Sequence, residues 1–266
     1  MDGGRHCRSR QAPGTRVTRQ EAHDAVQGLR AALSFLTILP VSSEADFSPK
    51  AMMPFFPLVG LLLGLVVAVW DFLACRIWPL AIVAVLDVLL LAVLSGGLHL
   101  DGLADAADGL LGHHTRRRAL EIMKDSRVGA MGLLAVVLCL ALKAVALAEL
   151  SSNRFLAILL VPAYARASML WALRELPYGR PAGTAKAFFG APFSDSAFLG
   201  LVVPGLLSLG LGVGTLVLHG VFLAFSFGMI WFYRHRIGCV TGDMLGAMSE
   251  ISETVLFLAL AGRLST

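Results

Sequence analysis

The sequence predicts an all-α fold: a polytopic transmembrane helical bundle of about six or seven spans, with an N-terminal amphipathic interfacial helix and cytoplasmic polar loops. Three observations carry that prediction. Hydrophobic residues fill 57% of the 266 positions and charged residues only 15%, against about 25% charged in an ordinary soluble domain. Apolar runs of about 18 residues or more recur, the length needed to cross a bilayer core. The Lys and Arg residues gather in alternate inter-span segments, as cytoplasmic loops require.

Residues 1–17 are basic and rich in Gly and Pro, a composition expected to remain disordered, so a basic extension (1–17) precedes a single membrane-embedded domain (18–266). Thr18 and Glu21 match a capping box that opens a helix closed by Pro40. Its apolar positions Ala22, Val26, Leu29, Leu33 and Leu36 recur at helical spacing, with His23, Asp24, Gln27 and Arg30 elsewhere, which suits a helix lying in the interface. A signal peptide is disfavoured, because the basic stretch is too long and no small-residue cleavage site follows.

Spanning segments are expected at 52–74, 77–95, 129–149, 154–175, 197–218, 220–233 and 251–262. The last two are short, and are either spans completed by neighbours or re-entrant pieces packed on protein. With the N-terminus inside, 17 of the 22 Lys and Arg fall in inside segments, and only Arg76, Arg154 and Arg263 fall outside. Lys143 and Arg166 lie within spans. The split follows the positive-inside rule and places Cys239 inside and Cys75 near the outer face. The four cysteines have no paired spacing, so neither a disulfide framework nor a zinc site is expected. The net charge of +4 is read as orientation. Membrane lipid is the expected surrounding partner and nucleic acid is not expected.

The densest polar cluster runs from Gly96 to Gly109. On a helix Asp101, Asp105 and Asp108 stand at i, i+4 and i+7 and share a face. Stacked like charges need a cation opposite or a raised pKa. Carboxylates on one face suit Mg²⁺, which joins one or two of them to substrate phosphates. The flanking glycines are expected to let a phosphate approach the backbone. Lys124 and Arg127, with Asp125 between them, are candidates for gripping a diphosphate from the other side, whereas Arg116–Arg118 are assigned to the membrane surface. His99 is a candidate substrate contact. Arg166 is a functional candidate because it is an ionisable residue within a span, and Asp87 and Lys143 fall under the same rule. Arg180 lies in the next inside loop. Thr241, Asp243, Glu250 and Glu253 form the last polar group, with the three acids on one helical face. Two acidic faces on one side of the bilayer suggest one site or a pair of metal sites, an arrangement suited to displacement at phosphorus.

These stretches resemble the cobalamin-5′-phosphate synthase family, the adenosylcobinamide-GDP ribazoletransferases. The likeness runs through Leu33–Thr37 with Leu39-Pro40-Val41, the Gly-Gly-Leu-His-Leu-Asp-Gly-Leu-Ala-Asp string from Gly96, Lys124–Arg127, Arg166, and Thr241 to Glu253. Two places depart from the family. The loop after Arg180 lacks its usual acidic residue, and Cys239-Val240 replaces Gly-Gln. The resemblance implies a Mg²⁺-dependent phosphotransferase of the bacterial inner membrane, with its active site facing the cytoplasm. There a hydroxyl of α-ribazole or its 5′-phosphate displaces GMP from adenosylcobinamide-GDP, an assembly step of cobalamin biosynthesis.

Displacing GMP from a diphosphate calls for neutralised oxygens and an aligned alcohol. Asp101, Asp105, Asp243 and Glu250 are the expected metal ligands. Asp108 is the expected general base, with Asp101 also catalytic. His99, Lys124, Asp125, Arg127, Arg166, Arg180, Thr241 and Glu253 are expected to contact substrate. Two rivals are weaker. A CDP-alcohol phosphotransferase needs an Ala-Arg step where this chain has Ala104-Asp105. A transporter calls for polar residues near the bilayer midplane, whereas here they are expected at one face.

Overall fold

The computed structural model describes residues 13–41, 49–150, 153–190 and 192–262. Residues 1–12, most of the expected basic extension, lie outside that set, as does Arg263. Helix α1 spans Pro13–Leu36, so it starts before Thr18 and the capping box is not its opening. Proline suits a first helical turn, where its missing N–H costs nothing. The helix ends at Leu36, short of Pro40, where the Thr37 hydroxyl turns back to donate to the Leu33 carbonyl at 2.7 Å.

A short helix α2 (Pro49–Met52) and a 3₁₀ turn lead into α3 (Phe56–Ala74). Then follow α4 (Leu80–Leu94), α5 (Leu98–Leu110), α6 (Arg116–Ile122), α7 (Ala130–Glu149) and α8 (Arg154–Glu175). The chain continues through α9 (Val202–Ser208), α10 (Val213–Arg236) and α11 (Gly242–Ala261). Among the described residues there is no strand, only one isolated parallel bridge between Tyr178 and Val240. Five helices of the described residues are long and apolar enough to cross a membrane, or six if α4 and α5 count as one broken span bent by 90°.

The axis of the bundle is α8. Of its most apolar stretch 83% is buried, against 28% for α7 and 33% for α10. The outer helices turn Leu133, Val137, Leu142, Leu216 and Trp231 outward. Such a surface is a liability in water and is matched to lipid. Helix α3 reaches α8 through Gly60 and Gly64, spaced as a small-xxx-small face. A Cβ on Gly60 would lie 2.7 Å from Ala163 Cα, and one on Gly64 would lie 2.8 Å from the Ile158 carbonyl oxygen. The two backbones therefore touch beside Pro162.

The expected spans 197–218 and 220–233 are divided differently in the structure. The segment Asp195–Leu211 mixes 3₁₀ and α turns, Gly212 breaks it with φ +60°, and α10 then runs unbroken from Val213 through position 220. Asp195 pairs with Arg174 at the end of α8, and Gly210 packs on Leu156 near its start. The segment thus runs the length of α8 although it is shorter, because 3₁₀ turns rise further per residue. The expected span at 251–262 is the second half of α11, whose first half carries Asp243.

Candidate active site

Two consecutive left-handed residues, Gly96 (φ +62°) and Gly97 (φ +68°), turn the chain between α4 and α5. Glycine holds that conformation at no steric cost, having no Cβ. The glycines expected to admit a phosphate therefore make a corner. Beyond it, α5 crosses the start of α11 at close range: a Cβ on Gly102 would lie 2.8 Å from the Asp243 carbonyl oxygen, and one on Gly246 would lie 3.2 Å from His99 Cα.

That crossing brings Asp101 and Asp243 to one cavity of about 290 Å³, lined also by His99, Ser34, Phe35, Phe56, Thr184 and Phe188. Asp105 lies near enough for Asp101, Asp243 and Arg180 to bear on its charge. Thr241 caps α11 by accepting from the Met244 N–H at 3.3 Å, and its hydroxyl lies 3.4 Å from Asp243 Oδ2. The loops carrying Arg180 and Asp243 are joined by two backbone bonds, Gly179 N–H to Val240 and Val240 N–H to Pro177, each 2.9 Å. This places the Arg180 guanidinium 2.5 Å from Asp243 Oδ2 and 3.0 Å from the Met123 carbonyl oxygen. His99 is 2% exposed, and neither ring nitrogen has a partner.

Other expected site residues are placed elsewhere. The two oxygens of Asp108 accept the backbone N–H groups of Gly129 and Gly132 at 2.7 and 2.9 Å. The carboxylate expected to act as general base therefore docks the start of α7 on α5. Glu250 and Glu253 do not line the cavity. Seven residues beyond Asp243, Glu250 is about 10 Å deeper along the same helix face. Lys143 lies 2.6 Å from Glu250 and 2.8 Å from Glu253, and Arg166 pairs with the other oxygen of Glu253. These four side chains are buried and compensate one another, as buried charges must. Glu250 is thus placed away from the expected ligand set, and Arg166 and Glu253 away from the expected substrate contacts. The four also sit mid-helix, which corrects the expectation that polar groups gather only at one face. The charges of Arg166, Glu253 and Lys143 bear on His99.

Arg127 and Asp125 form an exposed ion pair at 2.5 Å, and hydrogen bonding by Arg127 holds the Asp125 carboxyl down at about 2. They line neither this cavity nor the basic one beside it, in which Lys124 does take part. Asp87 pairs with Arg154, as does Asp71, at the far end of the bundle. Cys239 is fully buried and Cys75 exposed.

Among the described residues no three His, Cys, Asp or Glu side chains form a metal cage. Mg²⁺ does not need one, since it keeps several waters and binds through one or two carboxylates together with substrate phosphates. Asp101 and Asp105 have no ion-pair or side-chain hydrogen-bond partner among the described residues, so their hard oxygens fit that role. Sequence reasoning missed Ser34, Phe35, Phe56, Thr184 and Phe188. The spacing of Gly60 and Gly64 was the only signal that α3 packs tightly on α8.

The family model for cobalamin-5-phosphate synthase matches residues 28–261. The chain is 40% identical over 252 residues to an adenosylcobinamide-GDP ribazoletransferase of Syntrophobacter fumaroxidans, covering 86% of this chain and 96% of the relative. It is 38% identical over 238 residues to the protein of that name in Geotalea daltonii, covering 86% and 94%. With that of Leptothrix cholodnii it shares 39% over 248 residues, covering 87% and 94%. No solved structure matches the chain. An all-helical apolar bundle, an aspartate-lined cavity at one end and a match over most of the length agree: the chain belongs to the cobalamin-5-phosphate synthase family.

Proposed function

We propose that this protein transfers the adenosylcobinamide phosphate group of adenosylcobinamide-GDP to a hydroxyl of α-ribazole or its 5′-phosphate, with release of GMP. The supporting observation is the convergence of Asp101 and Asp243 from distant stretches on one cavity, with Asp105 and Arg180 beside it. Relatives named for this activity match most of the chain. In the reaction the acceptor oxygen bonds to the cobinamide-linked phosphorus, the bond from that phosphorus to the GMP oxygen breaks, and GMP departs with the electron pair. Asp101, Asp105 and Asp243 would hold Mg²⁺, which when bound supplies positive charge against the diphosphate oxygens. Arg180 orients Asp243 and adds a fixed cation.

The hydroxyl proton needs an acceptor. His99 fits better than Asp108, because it is a residue of the cavity wall whose buried ring nitrogens are unpartnered, while both Asp108 oxygens are engaged. A buried polar atom without a partner costs about 1–3 kcal/mol, which a substrate hydroxyl would relieve. The asymmetry of Lys and Arg supports a reading in which this end of the bundle faces the cytoplasm from a bacterial inner membrane.

The test is an assay of purified protein in liposomes with Mg²⁺, adenosylcobinamide-GDP and either acceptor. GMP and a cobalamin product should form in equal amounts, and neither should form when Mg²⁺ is chelated. Folded, Mg²⁺-replete protein that forms neither product would overturn the assignment. Release of CMP from a CDP-lipid would point to a different alcohol transferase.

A further inference from the structure

Arg180 also borders a second space. Together with Arg116, Arg117, Lys124 and Pro181 it lines an open cavity of about 350 Å³ beside the one that holds Asp101 and Asp243. The sequence alone assigns Arg116–Arg118 to the membrane surface, but the structure separates the three. Arg117 and Arg118 pair with Glu121 at 3.0 and 3.3 Å. Neither Arg116 nor Lys124 has a carboxylate partner among the described residues. Residues that serve only to orient a chain in the bilayer need not share a cavity. Here cations from α6, the turn after it and the loop after α8 converge on one. Against them stand Glu121 on the wall and Asp243 behind Arg180, so the cavity is left with excess positive charge, and Arg side chains in particular suit phosphate.

We infer that this cavity is a phosphomonoester subsite, holding the terminal phosphate of a nucleotide next to the transfer centre. The inference rests on the transferase reading above. Two phosphates of that chemistry are available: the 5′-phosphate of a phosphorylated ribazole acceptor, and the phosphate of the departing guanylate. The Arg180–Asp243 pair stands between the two cavities, so either phosphate would lie one side chain away from the carboxylates.

The test uses full-length protein in liposomes carrying Arg116→Gln with Lys124→Gln, both exposed side chains, beside Arg116→Lys with Lys124→Arg. Three constants are read: KM for α-ribazole 5′-phosphate, KM for α-ribazole, and the inhibition constant of GMP. A lost charge-assisted contact is expected to change a constant about tenfold or more. If only KM for the phosphorylated acceptor rises, the cavity holds the acceptor phosphate. If only GMP inhibition weakens, it holds the leaving nucleotide. In either case the charge-conserving variant should recover most of the loss. All three constants staying within about twofold, whatever happens to kcat, would overturn the subsite while leaving the transferase reading intact. Unsubstituted protein that forms no product from either acceptor would instead remove the transferase reading.

Discussion

The carboxylate of Asp108 receives the backbone N–H of Gly129 at 2.7 Å, so a side chain on α5 caps the first turn of α7. Gly129 has no side chain with which to cap that helix itself. The first N–H groups of a helix need an acceptor, and Asp108 serves two of them. Asp108→Ala is therefore expected to behave as a lost cap, costing about 1–2 kcal/mol of stability. A lower Tm in detergent with activity per folded molecule within a few-fold of normal would support that role. A collapse of kcat at unchanged Tm would return Asp108 to the chemistry.

Asp101→Asn is expected to do the opposite. The side chain is exposed in the cavity and packs on nothing that an amide would disturb, so the protein should fold with an unchanged Tm. Turnover should fall by about two orders of magnitude or more, the scale of losing one preorganised electrostatic contact to a transferring phosphoryl group. Near-normal turnover with the same Mg²⁺ dependence would remove Asp101 from the site.

The Lys143–Glu250–Glu253–Arg166 group should act on stability first. Lys143→Met alone leaves two buried carboxylates to share Arg166, and is expected to cost about 3–5 kcal/mol. Lys143→Met combined with Glu250→Gln removes one charge of each sign and should recover much of the loss. Thermal melts of the single and double variants read this directly. A double variant no better than the single would mean that the charges do not compensate one another.

Topology can be read with an impermeant thiol reagent on intact cells. Because Cys239 is buried, it is a poor reporter for the inside loop. A cysteine placed at Ser126, which is exposed at the carboxylate end, should stay unlabelled until the cells are opened. Cys75, exposed at the other end, should label from outside. The reverse pattern would invert the orientation.

Asp101 and Asp243 were legible in the sequence because each opens a polar run at the end of an apolar one. Asp105 was legible through its spacing from Asp101. Periodicity also put Glu250 and Glu253 on the face of Asp243, but a shared face says nothing of depth, and each residue carries the chain further along the helix axis. The partners Lys143 and Arg166 come from other helices, so pattern could not show that these acids were already neutralised. The contacts of Asp108 were hidden for a similar reason, since its partners are backbone amides on α7. The segment 195–211 was misdivided because hydropathy does not distinguish 3₁₀ from α turns, and Gly212 is one glycine among 27.

Far from the carboxylates, Arg154 at the head of α8 binds Asp71 of α3 at 2.5 Å and Asp87 of α4 at 3.2 Å, and donates to the Leu147 carbonyl of α7. One guanidinium thus fastens four helices at a single end, while Gly60 and Gly64 hold α3 against α8 further along, toward Phe56 and the cavity. A sheaf tied in this way spreads least at Arg154 and more easily toward the end that carries the cavity. Separation of the helices, when a bulky corrinoid enters or leaves, would have its fulcrum at Arg154 and its widest travel where Asp101 and Asp243 face each other.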